Sequence, residues 1–154
     1  MANEIERKFL VHESVVPDAI KCIRMKQAYL CTDAERTVRI RIAGDLAFLT
    51  IKGRNKGISR KEYEYSVPVE DALELMDLAV TEPVEKVRKI IYENGNKWEV
   101  DFFEGKNKGL VTAEVELSSE DEDVIIPEWV DKEISGDLKY RNSMLSKMPY
   151  SHWK

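Results

Sequence analysis

The sequence predicts a mainly β domain of the α+β class, and two observations carry that prediction. Charged and apolar residues alternate with a period of two in eight separate stretches, as they do in strands with one polar and one apolar face. Short turns join most of these stretches, and Asn94-Gly95 is the clearest hairpin signal. An antiparallel sheet closed into a barrel accounts for this arrangement. An open two-layer α+β sheet accounts for the alternation equally well.

The first strand is predicted over residues 4–11. Glu4, Glu6 and Lys8 share one face there, and apolar residues occupy most of the other face, with Arg7 as the exception. Two carboxylates two residues apart along a strand lie about 7 Å from each other, so they repel unless a cation lies between them. The remaining strands are predicted over 25–30, 36–42, 46–52, 59–67, 84–92, 97–103 and 110–117.

Two helices are predicted outside these strands. Residues 70–79 place their apolar side chains on one broad stripe, which is typical of a helix that packs on one side. The tail over 137–148 predicts a final helix that Pro149 ends. Because no linker, low-complexity segment or internal repeat interrupts the chain, residues 1–154 are predicted to form one domain.

The composition limits which classes of partner and which cellular compartment we expect for this protein. Charged residues make up 34% of the chain, against about 25% in typical soluble domains, yet 24 basic and 29 acidic residues leave a net charge of only −5. An acidic chain argues against nucleic-acid binding through a basic face. No apolar run approaches the ~20 residues of a membrane span, and the amino terminus opens on a charged strand rather than a secretory signal. With Cys22 and Cys31 expected as free thiols, we expect a cytoplasmic protein without a membrane partner.

The charges on the polar faces come in blocks of one sign. A solvated strand face usually mixes opposite charges, because like neighbours repel. Repeated blocks therefore favour a site for metal ions and a polyanion over a series of solvated faces. The acidic members are Glu4, Glu6, Glu62, Glu64, Asp101, Glu114 and Glu116, and the basic members are Lys8, Arg39, Arg41, Lys52, Lys86 and Arg88, with Arg60 near the rim.

The order of these motifs resembles the CYTH, or triphosphate tunnel metalloenzyme, superfamily, and most of all its short bacterial members. The first strand is similar to the ExExK signature of that family. The resemblance continues through Gln27-Ala28-Tyr29-Leu30, Arg39-x-Arg41, Thr50-x-Lys52, Glu62-x-Glu64, Lys86-x-Arg88, Glu114-x-Glu116 and Tyr140-x-Asn142. It implies a closed eight-stranded antiparallel β-barrel with a charged lumen and a few flanking helices.

The resemblance also implies roles for the charged residues. Glu4, Glu6 and Glu116 would bind a first metal ion. A second ion, its waters or the basic side chains would be served by Glu62, Glu64, Asp101 and Glu114. The triphosphate would be held by Lys8, Arg39, Arg41, Lys52 and Arg88, with Arg60 near a rim. Lys86 and Tyr29 would lie near the reacting end. Lys139 stands where relatives tend to carry an arginine.

The implied function is that of a metal-dependent triphosphatase acting on inorganic tripolyphosphate or an organic triphosphate. Two alternatives stay open: an adenylyl cyclase of the same family, and a module that binds polyphosphate without turnover. Oxygen donors without histidine or thiol favour Mg²⁺ or Mn²⁺ over zinc. The sequence leaves the oligomeric state open, with a homodimer as one option.

Overall fold

The computed structural model describes residues 3–153. In that part of the chain it has nine β-strands and two α-helices. The strands are β1 (Asn3–Val11), β2 (Lys21–Asp33), β3 (Arg36–Ala43), β4 (Leu46–Gly53), β5 (Ser59–Val67), β6 (Val84–Glu93), β7 (Asn96–Phe103), β8 (Val111–Glu116) and β9 (Val130–Glu133). The helices are α1 (Val69–Met76) and α2 (Asn142–Leu145).

Strands β1 to β8 close into an antiparallel barrel. Their order is β5-β4-β3-β2-β6-β7-β8-β1, and β1 pairs back with β5, with Glu4 opposite Arg60. This last pairing joins the two edges of the sheet, so the prediction of a closed eight-stranded barrel is confirmed and the open sheet is excluded. β9 pairs with the far end of β1 and was not predicted, because four residues with three charges show no alternation.

The predicted hairpin between β6 and β7 is confirmed in detail. Asn94 and Gly95 both have positive φ, 54° and 80°, between the paired residues Glu93 and Asn96. Two positive φ angles define the type I′ turn, whose twist matches that of the flanking strands. Asparagine and glycine tolerate this conformation better than other residues, which is why the dipeptide predicts the turn.

Apolar clusters pack on the outside of the barrel. α1 packs across β2, β3 and β4, where Ala28, Ile40, Ala47 and Ala72 are buried together. The helix predicted over 70–79 is present but ends at Met76. Neither helix in residues 3–153 has the length and apolar character needed to cross a membrane.

The second cluster is built around Trp98 of β7, which is fully buried. Its ring lies 5.7 Å from Phe9 of β1 and 5.6 Å from Trp129, between the ring centroids. Trp129 belongs to the connection between β8 and β9, so this connection is fixed over the outer face of the barrel. Aromatic rings at this separation stabilise one another beyond the area that they bury.

We expect Trp98→Ala to lower the free energy of unfolding by about 3–5 kcal/mol, the usual cost of deleting a buried tryptophan. Urea denaturation measures this loss. The control is Tyr92→Ala on the neighbouring strand, whose side chain is 59% exposed and whose loss should cost less than about 0.5 kcal/mol. Equal losses in the two variants would contradict the assignment of Trp98 to the core.

Residues 134–153, here called the C-terminal segment, pack against the barrel. The single helix predicted over 137–148 is wrong: a 3-10 turn at Leu138–Tyr140 is followed by extended backbone at Arg141, and only Asn142–Leu145 is α-helical. The physical reason is attachment to the barrel. The Tyr140 carbonyl accepts a hydrogen bond from Lys8 Nζ at 3.0 Å, and an unbroken helix would use that carbonyl internally. Leu145 packs with Val84, Phe103 and Leu110.

Candidate active site

The interior of the barrel is a polar cavity of about 810 Å³. Every residue proposed from the sequence lines it except Asp101, which lies buried behind the wall. Arg41 of β3 and Glu116 of β8 share this cavity although 75 positions separate them in the numbering. The lining candidates are Glu4, Glu6, Lys8, Tyr29, Arg39, Arg41, Lys52, Arg60, Glu62, Glu64, Lys86, Arg88, Glu114 and Glu116.

Strand alternation and register bring these side chains together. On β1 Glu4, Glu6 and Lys8 face inward, because the apolar residues Ile5 and Phe9 that alternate with them pack in the outer cluster. The antiparallel register then places Glu6 opposite Glu116 and Lys8 opposite Glu114 of β8. Residues in the same register position project to the same side of the sheet. The cavity wall is therefore a direct product of the period-two pattern.

Lys52 holds the carboxylates of one part of the wall. Its Nζ lies 3.0 Å from both oxygens of Glu4 and 3.4 Å from Glu62 Oε2. Arg60 Nε lies 3.6 Å from Glu4 Oε1. Burial alone would raise the pKa of Glu4, but Lys52 outweighs it and leaves that pKa below the usual value. Glu4 is therefore ionised at neutral pH.

The neighbouring carboxylates repel one another. Burial, with the Glu114 and Glu4 carboxylates, raises the pKa of Glu6 well above its usual value. Burial and the charge of Glu4 likewise raise the pKa of Glu116. Burial also raises the pKa of Glu62, against the opposing effect of Lys52. A bound cation would favour the ionised form of each carboxylate.

The carboxylates of this acidic region, which comprises Glu4, Glu6, Glu62 and Glu116, are chemically suited to a hard divalent ion. All its ligands are carboxylate oxygens, which suit magnesium, manganese or calcium better than zinc. Within residues 3–153, however, no three acidic, histidine or cysteine side chains converge as a ready-made ion site. Glu4 is directed to Lys52 instead. Binding an ion there would need this side chain to turn.

Asp101 is the shared ion-pair partner of Arg88 and Lys86, which form the basic region of the cavity wall. Its carboxylate accepts from Arg88 Nε at 2.8 Å and from Arg88 Nη2 at 2.9 Å, and Lys86 Nζ lies 2.8 Å away. Arg88 also reaches Glu99 at 3.1 Å and Glu114 at 3.2 Å. Burial would raise the pKa of Asp101, but Arg88 and Lys86 lower it to about 2. Asp101 thus anchors two cations at the cavity wall.

Lys86 is fully buried between Asp101 and the C-terminal segment. Burial lowers the pKa of its ammonium to about 7, against the opposing effect of Asp101 and with the help of the nearby Arg88. A lysine with a pKa near neutrality can both hold and release a proton under physiological conditions. Tyr29, proposed with Lys86 for the reacting end, is buried on the same wall opposite Arg39.

The two arginines of β3 that line the cavity remain available to an anion. Arg39 donates from Nη2 to Thr50 Oγ1 at 3.2 Å and lies 3.6 Å from Glu64, but its buried Nε has no hydrogen-bond partner in residues 3–153. Arg41 donates from Nε to the neutral Gln27 Oε1 at 2.8 Å. Burial, with Arg39 and Arg88, lowers the pKa of Arg41 to about 9. An anion between these guanidinium groups would offset their mutual repulsion.

The C-terminal segment adds functional candidates that the sequence reasoning missed. Arg141 and Asn142 line the cavity. Burial, and to a lesser extent the nearby Arg60, lowers the pKa of Arg141. Tyr140-x-Asn142 is the sequence signal that contains both residues, since Arg141 is its middle residue. Lys139 is absent from the wall: its Nζ lies 5.3 Å from the ring centroid of Tyr140 and 4.8 Å from that of Trp153.

Comparison with known proteins agrees with this geometry. Residues 2–151 match the CYTH domain. The inorganic triphosphatase of Acetivibrio thermocellus is 42% identical over 155 residues, covering 100% of this chain and 99% of that protein. The inorganic triphosphatase of Nitrosomonas europaea is 35% identical over 151 residues, covering 94% of this chain and 97% of that protein.

Solved structures share the fold. A crystal structure of an inorganic triphosphatase superposes on this chain with a TM-score of 0.68 at 34% identity, covering 95% of each chain. A match that spans residues 2–151, together with this shared closed barrel, shows that the protein belongs to the CYTH domain family.

Proposed function

We propose that this protein is a phosphohydrolase that cleaves a phosphoanhydride bond of a triphosphate, with inorganic tripolyphosphate as its preferred substrate. The observation that carries the proposal is one cavity inside the barrel in which arginine and lysine side chains face a group of carboxylates. The inorganic triphosphatases at 42% and 35% identity support it. A cavity of about 810 Å³ also has the size of a small-molecule site.

The substrate would be held by the cations of the wall. Arginine binds phosphate oxygens with a planar fork, and lysine supplies a compact charge. The Nε of Arg41 is held by the neutral amide oxygen of Gln27, which leaves the positive charge of this guanidinium to the substrate. Hydrolysis of a triphosphate depends mainly on such positioning and charge neutralisation. The proposed phosphate-binding residues are Lys8, Arg39, Arg41, Lys52, Arg60 and Arg88.

The family implies a divalent metal ion. We assign Mg²⁺ or Mn²⁺ on the oxygen-only donors, with Glu4, Glu6 and Glu116 as ligands of one ion. When bound, such an ion neutralises phosphate charge and lowers the pKa of water. Glu62, Glu64 and Glu114 would serve a second ion or its waters. Asp101 would act by holding Lys86 and Arg88, since both its oxygens are already engaged by them.

Lys86 is the proposed proton-handling group at the reacting end, together with Tyr29. Its pKa near 7 allows Nζ to donate a proton to a phosphate oxygen and then recover it. The Asp101 carboxylate at 2.8 Å fixes the position of this nitrogen. Asp101 also keeps the ammonium form accessible, because a buried lysine without a counter-charge would lose its proton more readily.

The remaining assignments follow from the same reasoning. The partner would be a small-molecule triphosphate, and the protein would bind neither nucleic acid nor a membrane. The compartment would be the cytoplasm, where Cys22 and Cys31 stay reduced. A single domain over residues 1–154 stays a prediction, and residues 1, 2 and 154 lie outside the described part of the chain. A homodimer also stays a prediction.

Turnover assays separate the proposed triphosphatase from its alternatives. Because the wall recognises phosphate oxygens, we expect a higher kcat/KM for tripolyphosphate than for ATP, and poor use of pyrophosphate, which reaches fewer cations. Phosphate release is measured for each substrate and for thiamine triphosphate, with and without Mg²⁺ or Mn²⁺. Cyclic AMP as the main product would indicate a cyclase. Binding of tripolyphosphate without phosphate release in any metal would indicate a binding module.

A further inference from the structure

Two neutral amide side chains, Gln27 of β2 and Asn142 of α2, form a bridge between two cations of the cavity wall. Gln27 is fully buried, and its Nε2 donates to Asn142 Oδ1 at 3.1 Å. On one side Arg41 Nε donates to Gln27 Oε1 at 2.8 Å. On the other side Lys86 Nζ donates to Asn142 Oδ1 at 3.0 Å. An unbroken hydrogen-bond chain therefore runs from Arg41 to Lys86.

The Arg41 end of the chain allows only one direction for it. A guanidinium group donates hydrogen bonds and accepts none. The oxygen of Gln27 must therefore face Arg41, which leaves its amide nitrogen facing Asn142. The oxygen of Asn142 then accepts from both Gln27 and Lys86. Rotating either amide by half a turn would set donor against donor, so the bridge fixes both end groups.

A neutral bridge preserves the charge that a phosphate needs. A carboxylate in the place of Gln27 would pair with Arg41 and compete with the substrate for its guanidinium. An amide orients the guanidinium by a short hydrogen bond and leaves its charge uncompensated. Groups held in place before the reaction cost little to reorganise during it. A fully buried glutamine and a partly buried asparagine, each with matched hydrogen-bond partners, are a costly device for packing alone.

We propose that Gln27 and Asn142 are positioning residues, which hold Arg41 and Lys86 in the orientation that the phosphate chain requires. The C-terminal segment then contributes directly to the site. Asn142 lies 115 positions from Gln27 in the sequence and reaches it only when the segment is packed against the barrel. Docking is secured independently by the bond from Lys8 to the Tyr140 carbonyl and by the apolar packing of Leu145. This inference rests on the triphosphatase function proposed above.

A double-mutant cycle tests the bridge. Gln27→Met and Asn142→Leu remove the amides at similar volume, and each is expected to lower kcat on tripolyphosphate about tenfold, the usual effect of losing a hydrogen bond to a charged group. Because either substitution breaks the same chain, the double variant should lose far less than the hundredfold product. Multiplicative losses would overturn the proposal.

A conservative variant and a packing variant separate positioning from folding. Asn142→Gln keeps a neutral amide acceptor for Gln27 and Lys86, so it should recover part of the kcat lost in Asn142→Leu. Leu145→Ala loosens the same segment without touching the bridge. It should lower the thermal midpoint but leave kcat within about twofold well below that midpoint. Failure of Asn142→Gln to recover kcat, or an equal kcat loss in Leu145→Ala, would overturn a positioning role.

Calorimetric titration with tripolyphosphate in the absence of metal gives a readout that needs no turnover. Gln27→Met and Asn142→Leu should each weaken this binding about tenfold relative to the natural protein. If the natural protein neither binds nor hydrolyses tripolyphosphate, the proposed function fails. If it does both, and the two variants bind and turn over the substrate as well as it does, the positioning role alone fails.

Discussion

Replacing Asp101 by alanine is expected to lower the free energy of unfolding by about 3–5 kcal/mol, because removing one member of a buried ion pair leaves uncompensated charge inside the protein. Asp101 and Lys86 are fully buried, and Arg88 is nearly so. All three contacts between the carboxylate and these cations are shorter than 3.0 Å. The pKa of Asp101, held at about 2 by Arg88 and Lys86 against its burial, reflects the same attraction. Urea denaturation in the presence of a chelator measures the loss without any contribution from bound metal.

A surface ion pair provides the matched comparison. Arg7 and Glu133 form a pair at 2.8 Å, with side chains 27% and 39% exposed. Glu133→Ala removes a carboxylate from an arginine just as Asp101→Ala does, but water replaces the lost partner. We expect it to cost no more than about 1 kcal/mol. If the two variants were equally destabilised, Asp101 would not be the anchor of the basic region.

The barrel and most of its charged wall could be predicted because period-two alternation survives closure of the sheet. Glu4, Glu6 and Lys8 face inward simply because Ile5 and Phe9 must be buried outside. Alternation gives the side on which a residue lies but not its depth. Asp101 was therefore placed correctly on the inner face, whereas its position behind Lys86 and Arg88 depends on side-chain packing that no local pattern encodes.

The amide bridge could not be predicted for a different reason. Gln27 and Asn142 are neutral, so neither belongs to a block of like charge, and their contact depends on how the C-terminal segment folds. The prediction of one continuous helix there failed because helical periodicity does not register the bond between Lys8 and the Tyr140 carbonyl. Residues near the end of a chain that are held by such long-range bonds carry little local signal.

Substitutions at Glu6 and Arg41 are expected to separate the two charge groups of the cavity. Glu6→Ala removes a proposed metal ligand, so turnover should fall about ten- to a hundredfold, as for other lost contacts to a charged group, and recover in part at high Mn²⁺. Arg41→Ala removes a proposed phosphate ligand. Its turnover should fall by a similar factor, with weaker substrate binding and no recovery at any Mn²⁺ concentration. Phosphate release across a Mn²⁺ titration measures both responses.

Glu35 and Arg54 provide controls of the same residue types outside the cavity. They pair with each other on the surface, where their side chains are 53% and 60% exposed. Neither lines the cavity, so Glu35→Ala and Arg54→Ala should leave turnover and its Mn²⁺ dependence unchanged. The decisive comparison is between the two interior variants. Recovery of both by Mn²⁺, or of neither, would mean that Glu6 and Arg41 do not divide metal binding and phosphate binding between them. Recovery of Glu6→Ala alone would support separate sites for the cation and the anion within one cavity.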